Sequence, residues 1–149
     1  MNLLNKSLLF LLCLAITACS SGPEPIDFGK DACTWCKMTI MDPKFGTELV
    51  TDKGRVYKFD DINCLVEYMV ENKISPQDKH SLYVLDYSDP GKIIDARTAS
   101  YIHSGELRTP MASRVAAFGI GRLQQAHHEL LKGEEISWDQ VWKKFSVEE

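Results

Sequence analysis

Two thiols and two thioethers crowd the segment Cys33-Thr34-Trp35-Cys36-Lys37-Met38-Thr39-Ile40-Met41. Soft sulfur donors of this kind favour Cu(I) over hard cations. The two-residue gap between Cys33 and Cys36 suits a knuckle that turns both sulfurs toward one ion. Met38 alternates with Cys36, so in an extended segment their side chains share a face. A third thiol, Cys64, falls in the first turns of a predicted helix, where backbone amides and the helix dipole favour thiolate, while Asp60 and Asp61 oppose it. A cysteine pair, a hairpin and a cysteine at a helix start also outline a treble-clef metal site, in which all three sulfurs converge and the fourth ligand is not evident.

Other chemistry fits the same residues. Cys33 or Cys36 paired with Cys64 would make a structural disulfide. Cys36 and Cys64, with Asp60 or Asp61 as proton donor, would suit a thiol oxidoreductase or a lyase-like enzyme, although no parallel βαβ pattern surrounds the C-x-x-C. Structural zinc held by Cys33, Cys36 and Cys64 is a further alternative. His103 ends a predicted strand ahead of the polar stretch Ser104 to Thr109 and is a candidate nitrogen ligand close to Pro110-Met111. By contrast, Met69 lies on a helical apolar stripe and reads as core, and His127 reads as a satisfied core histidine.

The elements that must position these groups are short. Gly46 to Asp61 reads as a hairpin, with Leu49 and Val50, a turn at Asp52-Lys53-Gly54, then Val56, Tyr57 and Phe59. Asp60 and Asp61 offer N-cap chemistry for a helix whose apolar residues Ile62, Leu65, Val66, Met69 and Val70 recur at helical spacing. Ser81 to Tyr87 reads as a buried strand, Ile93-Ile94 and Ser100 to Ile102 as two short ones, and Val115 to Ile120 as another. A helix is predicted from about Gly121 to Lys132, ended by Gly133. A last helix opens with the capping-box pair Ser137 and Gln140 and carries the stripe Trp138, Val141, Trp142 and Phe145. The order suggests an α+β domain of two ββα-like halves.

The N-terminus has a different character. Lys6, the apolar run Leu8 to Ile16 and the small residues before Cys19 lay out a signal peptide over residues 1–18. The run is well short of the ~20 residues of a spanning helix. Ile16-Thr17-Ala18-Cys19 is similar to the bacterial lipobox, in which the cysteine is acylated and becomes the first residue. Stable attachment then comes from more than one acyl chain on Cys19, at roughly 0.8 kcal/mol per buried methylene. Residues 19–30 read as a flexible tether and 31–149 as the folded domain. Loss of Lys6 with the signal makes the mature chain one unit more negative than -4, and nothing in it suggests nucleic acid, for which a basic stripe is expected. Of five cysteines, Cys13 leaves with the signal and Cys19 takes lipid. The odd set left, Cys33, Cys36 and Cys64, implies either a disulfide plus a free thiol or ligation of a soft metal.

Taken together, the lipobox at Cys19, Cys36-Lys37-Met38-Thr39-Ile40 ahead of a hairpin, Phe59-Asp60-Asp61 with Cys64 opening a helix, and the run from Tyr83-Val84-Leu85-Asp86-Tyr87 through Ile94-Asp95-Ala96 to Pro110-Met111-Ala112 resemble the NosL family of nitrous oxide reductase accessory lipoproteins. That resemblance implies a fold related to organomercurial lyases and a carrier of Cu(I) rather than an enzyme. It maps Cys36 and Met38 onto the copper-binding pair and Met111 onto a methionine supplied by the second half; Cys33, Cys64 and His103 stay candidate ligands on their own spacing, not by the resemblance. It also implies a lipid-anchored, extracytoplasmic place in the cell envelope, periplasm-facing on the outer membrane. The implied partners are membrane lipid through Cys19, a membrane ABC-type maturation complex and nitrous oxide reductase.

Overall fold

The computed structural model describes residues 22–121, 130 and 132–147. The predicted signal peptide, Cys19, and most of the predicted helix from Gly121 to Lys132, with His127 and His128, lie outside the described residues. Among the described residues no helix is long and apolar enough to cross a membrane.

The hairpin expected from Asp52-Lys53-Gly54 joins β1 (Thr47–Val50) to β2 (Val56–Phe59), with Val50 opposite Val56. Gly54 closes its turn by donating to the Thr51 carbonyl at 2.9 Å and takes a φ of 79°, a left-handed conformation that costs glycine little. With β3 (Ser81–Leu85) and β4 (Ile93–Asp95) these strands form an antiparallel sheet in the order β2-β1-β3-β4. A second antiparallel sheet, β6-β5-β7, is built from β5 (Ser100–His103), β6 (Val115–Phe118) and β7 (Glu134–Ile136). The sheets meet where Asp86 bridges Ala117 in parallel and the Tyr87 N–H reaches the Ala117 carbonyl at 2.8 Å.

Helix α1 (Ile62–Glu71) follows β2 and buries Ile62, Cys64, Leu65, Val66 and Met69, the stripe its spacing predicts, with Met69 in the core. Helix α2 (Trp138–Phe145) starts on a capping box: Ser137 Oγ accepts the Gln140 N–H and Gln140 Oε1 accepts the Ser137 N–H. The domain is therefore α+β, with the expected strand-strand-helix order in β1-β2-α1 and an additional strand, β7, ahead of α2. Two glutamates and one isoleucine carry no strand signal. The segment pairs because β5 needs a second neighbour, and Ile136 opposite Tyr101 is its one buried residue. Entry into β7 requires Gly133, since a Cβ there would come within 2.4 Å of Ile102 Cγ2 and 2.8 Å of the His103 carbonyl.

All of β1 is buried because both faces are covered. Leu49 belongs to the core with α1, while Glu48 is covered by the N-terminal segment, whose Glu24 N–H donates to Glu48 Oε2 at 3.1 Å. Ile26, inside the stretch expected to be tether, is buried in that same core, and the Gly29 N–H reaches the Ile40 carbonyl at 2.9 Å. The packed chain thus begins upstream of Asp31.

Candidate metal centre

Between Ala32 and Thr39, which form an isolated antiparallel bridge, the chain makes a tight knuckle. The Cys33 N–H donates to the Met38 carbonyl at 2.8 Å and the Lys37 N–H to the Cys33 carbonyl at 3.1 Å. Lys37, the residue after the second cysteine, takes a φ of 67°, strain that the surrounding hydrogen bonds hold in place. Two longer-range contacts fix the knuckle to the domain. The Thr34 N–H donates to the Lys58 carbonyl of β2 at 2.7 Å, and Trp35 Nε1 to Glu67 of α1, also at 2.7 Å. Cys64 sits one residue past Asn63 in the first turn of α1, so hairpin and helix together carry it to the knuckle.

The outcome is a cluster of three sulfurs, Cys33, Cys36 and Cys64, all within 4.8 Å of one another. Cys33 and Cys64 are buried and Cys36 is half-buried; all three are free thiols. The protonation pattern differs from the one helix geometry suggested. A hydrogen bond from Cys64 holds Cys33 as thiolate, lowered to about 5, with further help from the amides of Asp60, Cys36 and Trp35. Cys64 is the proton donor of that bond, and both this role and its burial push its thiol up. Burial raises Cys36 as well, against the Met38 amide that favours its charged form. The cluster thus carries one ready thiolate and two protons that a thiophilic cation would displace.

The methionines are arranged unequally. Met38, 58% exposed, lies on the solvent side of the knuckle beside Cys36, and Met41 is exposed too. Met111 is half-buried and packs against the core cluster to which Cys33 and Cys64 belong. Its backbone is tied to the start of α1: the Met111 N–H donates to Asp61 Oδ2 and Asn63 Nδ2 donates to the Met111 carbonyl, both at 3.0 Å.

The sequence comparison agrees with this layout, since the family model for NosL matches residues 25–145. The chain belongs to the NosL family. A solved structure, the copper chaperone NosL from Shewanella denitrificans, superposes with a TM-score of 0.68 at 23% identity, covering 80% of this chain and 95% of that one. At that identity the likeness speaks for the fold. No curated protein matches the chain.

Within this NosL domain the sequence candidates divide. Cys33, Cys36 and Cys64 come together, Met38 lies two residues past Cys36 with its side chain exposed, and Met111 is held at the helix turn that carries Cys64. His103 pairs with Val115 and Glu134 in β5 and is not a member of the sulfur group. Burial, seconded by Lys144, lowers its pKa, which suits a neutral imidazole. Asp60 is buried, with Oδ1 unpartnered, and is raised to about 6 by burial first and then by the Cys33 thiolate and Asp61. Local spacing gave no sign of Asn63 and Ser113, which tie the Met111 loop to the start of α1, because their partners Met111 and Asp61 lie 48 and 52 positions away in the chain.

Proposed function

We propose that the protein is a membrane-tethered carrier that takes Cu(I) as cargo at the sulfur cluster and passes it on by ligand exchange. The observation that carries this reading is the convergence of Cys33, Cys36 and Cys64 within 4.8 Å in a knuckle whose next residues include the exposed Met38. All the donors are soft, which suits a monovalent d¹⁰ ion and not a hard cation. Cys36 and Met38 form the accessible edge and Met111 completes the site from the second half; Cys33 and Cys64 supply buried thiolate, and His103 stands farther off as a candidate for a passing contact. Thioethers bind without charge, so a partner that offers thiolate or imidazole competes at that edge. Release requires no covalent step. The name of the Shewanella denitrificans relative, a copper chaperone, supports the same cargo.

In this reading Cys19 carries the lipid after removal of residues 1–18, and the protein works in the cell envelope outside the cytoplasm. From Cys19 to Glu24, the first residue tied to the sheet, at ~3.5 Å per residue, the leash reaches about 18 Å. That keeps the centre close to the membrane and raises its effective concentration for a membrane-bound acceptor. By family resemblance the acceptors are an ABC-type maturation complex and nitrous oxide reductase.

The test is metal preference. The reduced protein is expected to bind one Cu(I), to prefer it to Zn(II), and to bind it more weakly as Met38→Ala or Met111→Ala, read by competition with a chromophoric Cu(I) chelator. Tight zinc binding with both methionine variants unaffected would sink the carrier reading in favour of a zinc-stabilised module.

A further inference from the structure

The loop from Thr109 to Arg114 is bound to the start of α1 far more heavily than capping requires, and we propose that Asp61 and Asn63 are positioning residues that present Met111 to the cargo ion. The inference rests on the carrier reading and assigns to that site the groups that join its two halves.

Asp61 is 1% exposed and both its oxygens are engaged. Oδ1 accepts the Ile62 N–H at 2.7 Å and the Ser113 hydroxyl at 2.6 Å; Oδ2 accepts the Met111 N–H at 3.0 Å and the Ser113 N–H at 3.3 Å. An N-cap side chain ordinarily serves the amide of the second or third helical residue. Here the carboxylate touches only the first, Ile62, and is otherwise turned toward the loop. Asn63 completes the hold through the Met111 carbonyl, so the two polar groups of the Met111 backbone are fixed by residues on either side of Ile62 and next to Cys64.

The loop would not take this shape alone. Ala112 and Arg114 have φ of 60° and 57°, left-handed conformations that cost a residue with a Cβ about 1 kcal/mol or more each. Thr109 Oγ1 accepts the Arg114 N–H at 3.1 Å from within the loop. The Ser104 N–H donates to the Arg114 carbonyl at 2.9 Å at the loop's far end, while the Met111 backbone itself is held from the start of α1, which is also the helix that brings Cys64. A shift of α1 therefore moves Cys64 and Met111 together, and their spacing is preserved. Partners that orient a metal ligand are typically worth about 10- to 100-fold in affinity.

Asp61→Asn isolates the effect. Asparagine caps helices as well as aspartate, but it retains one oxygen and opposes an NH₂ group to the Met111 and Ser113 amides. Asn63→Ala releases the carbonyl and leaves the carboxylate intact, and it carries the test should Asp61→Asn fail to fold. On the reduced full chain, each variant is expected to weaken Cu(I) by about 10- to 100-fold and to lower the sulfur coordination number seen by X-ray absorption. Added to Met111→Ala, neither should cost anything more, since both act through Met111. Equal losses with and without Met111, or an unchanged sulfur count, would overturn the proposal while leaving the carrier reading intact. Failure of the wild-type chain to bind Cu(I) at all would overturn both.

Discussion

The N-terminal segment and the Met111 loop are each pinned to the domain by a buried carboxylate. Glu48, on β1, accepts the Glu24 N–H through Oε2, while Oε1 has no partner. Lys58, opposite Glu48 on β2, turns its ammonium instead to Asp31 at 2.8 Å and to the Pro25 carbonyl at 2.9 Å. Asp61 is as buried as Glu48 but places both oxygens among four donors. The difference is one of saturation. A carboxylate whose lone pairs are used keeps its charge at low cost, whereas a half-used one is penalised for it. Burial accordingly pushes Glu48 up to about 7, a rise that the Glu24 amide and Lys58 only partly offset. The N-terminal segment thus rests on a titratable, half-used carboxylate, and the Met111 loop on one whose two oxygens are both fully hydrogen-bonded.

The largest expected effect comes from breaking the saturated side. Asp61→Ala removes the cap of α1 and strands the Met111 and Ser113 amides, with an expected loss of about 3 kcal/mol in the free energy of urea unfolding. A loss below about 1 kcal/mol would mean that the two supports do not differ as their hydrogen bonds indicate.

Glu48→Gln sharpens the other side and has the opposite sign. Folded Glu48 keeps its proton up to about 7, while the unfolded chain releases it near 4.5, so between these values the folded state binds more protons. Stability from this group is fully present below 4.5 and is lost as pH rises through about 7. A neutral glutamine removes that loss. The variant is expected to be more stable than wild type by about 2 kcal/mol near pH 8 and to match it near pH 4. Some slope remains in the variant, because Asp60 is displaced in the same direction, from 3.8 to about 6. Identical pH dependence of the two proteins would remove Glu48 as the titrating support.

What sequence could and could not reveal follows the range of each interaction. The C-x-x-C gap, the Asp52-Lys53-Gly54 turn, the apolar period of α1 and the Ser137-Gln140 box act over a few residues, and all four appear where their spacing places them. The α+β order followed from them. Harder to read were features whose cause lies elsewhere in the chain. β7 exists because β5 has an open edge, and Ile26 packs because Gly46 leaves room, with a Cβ there falling 2.8 Å from Ile26 Cδ1. The thiolate settles on Cys33 rather than Cys64 for a similar reason. A helix start is visible in sequence, but the Cys64 hydrogen bond and the three amides that converge on Cys33 exist only once the knuckle has docked. Asp61 presented itself as a cap, and its larger task toward Ser113 spans 52 positions.

Ser113→Ala gives the smallest effect and separates the two services of Asp61. The Ser113 hydroxyl donates to Asp61 Oδ1 at 2.6 Å and accepts the Val115 N–H at 3.2 Å, so it ties the loop to the first residue of β6 as well as to α1. Alanine deletes those two bonds and a third, at 3.2 Å, to Thr109 Oγ1, but retains the Ser113 N–H on Asp61 and leaves both polar groups of the Met111 backbone held. The expected loss is about 1.5 kcal/mol of unfolding free energy, typical of one hydrogen bond to a charged group. Cu(I) affinity should stay within about twofold, equivalent to ~0.4 kcal/mol, since the placement of Met111 depends on Asp61 Oδ2 and Asn63 and not on the hydroxyl. A large fall in affinity with little loss of stability would transfer the positioning role from those two groups to Ser113.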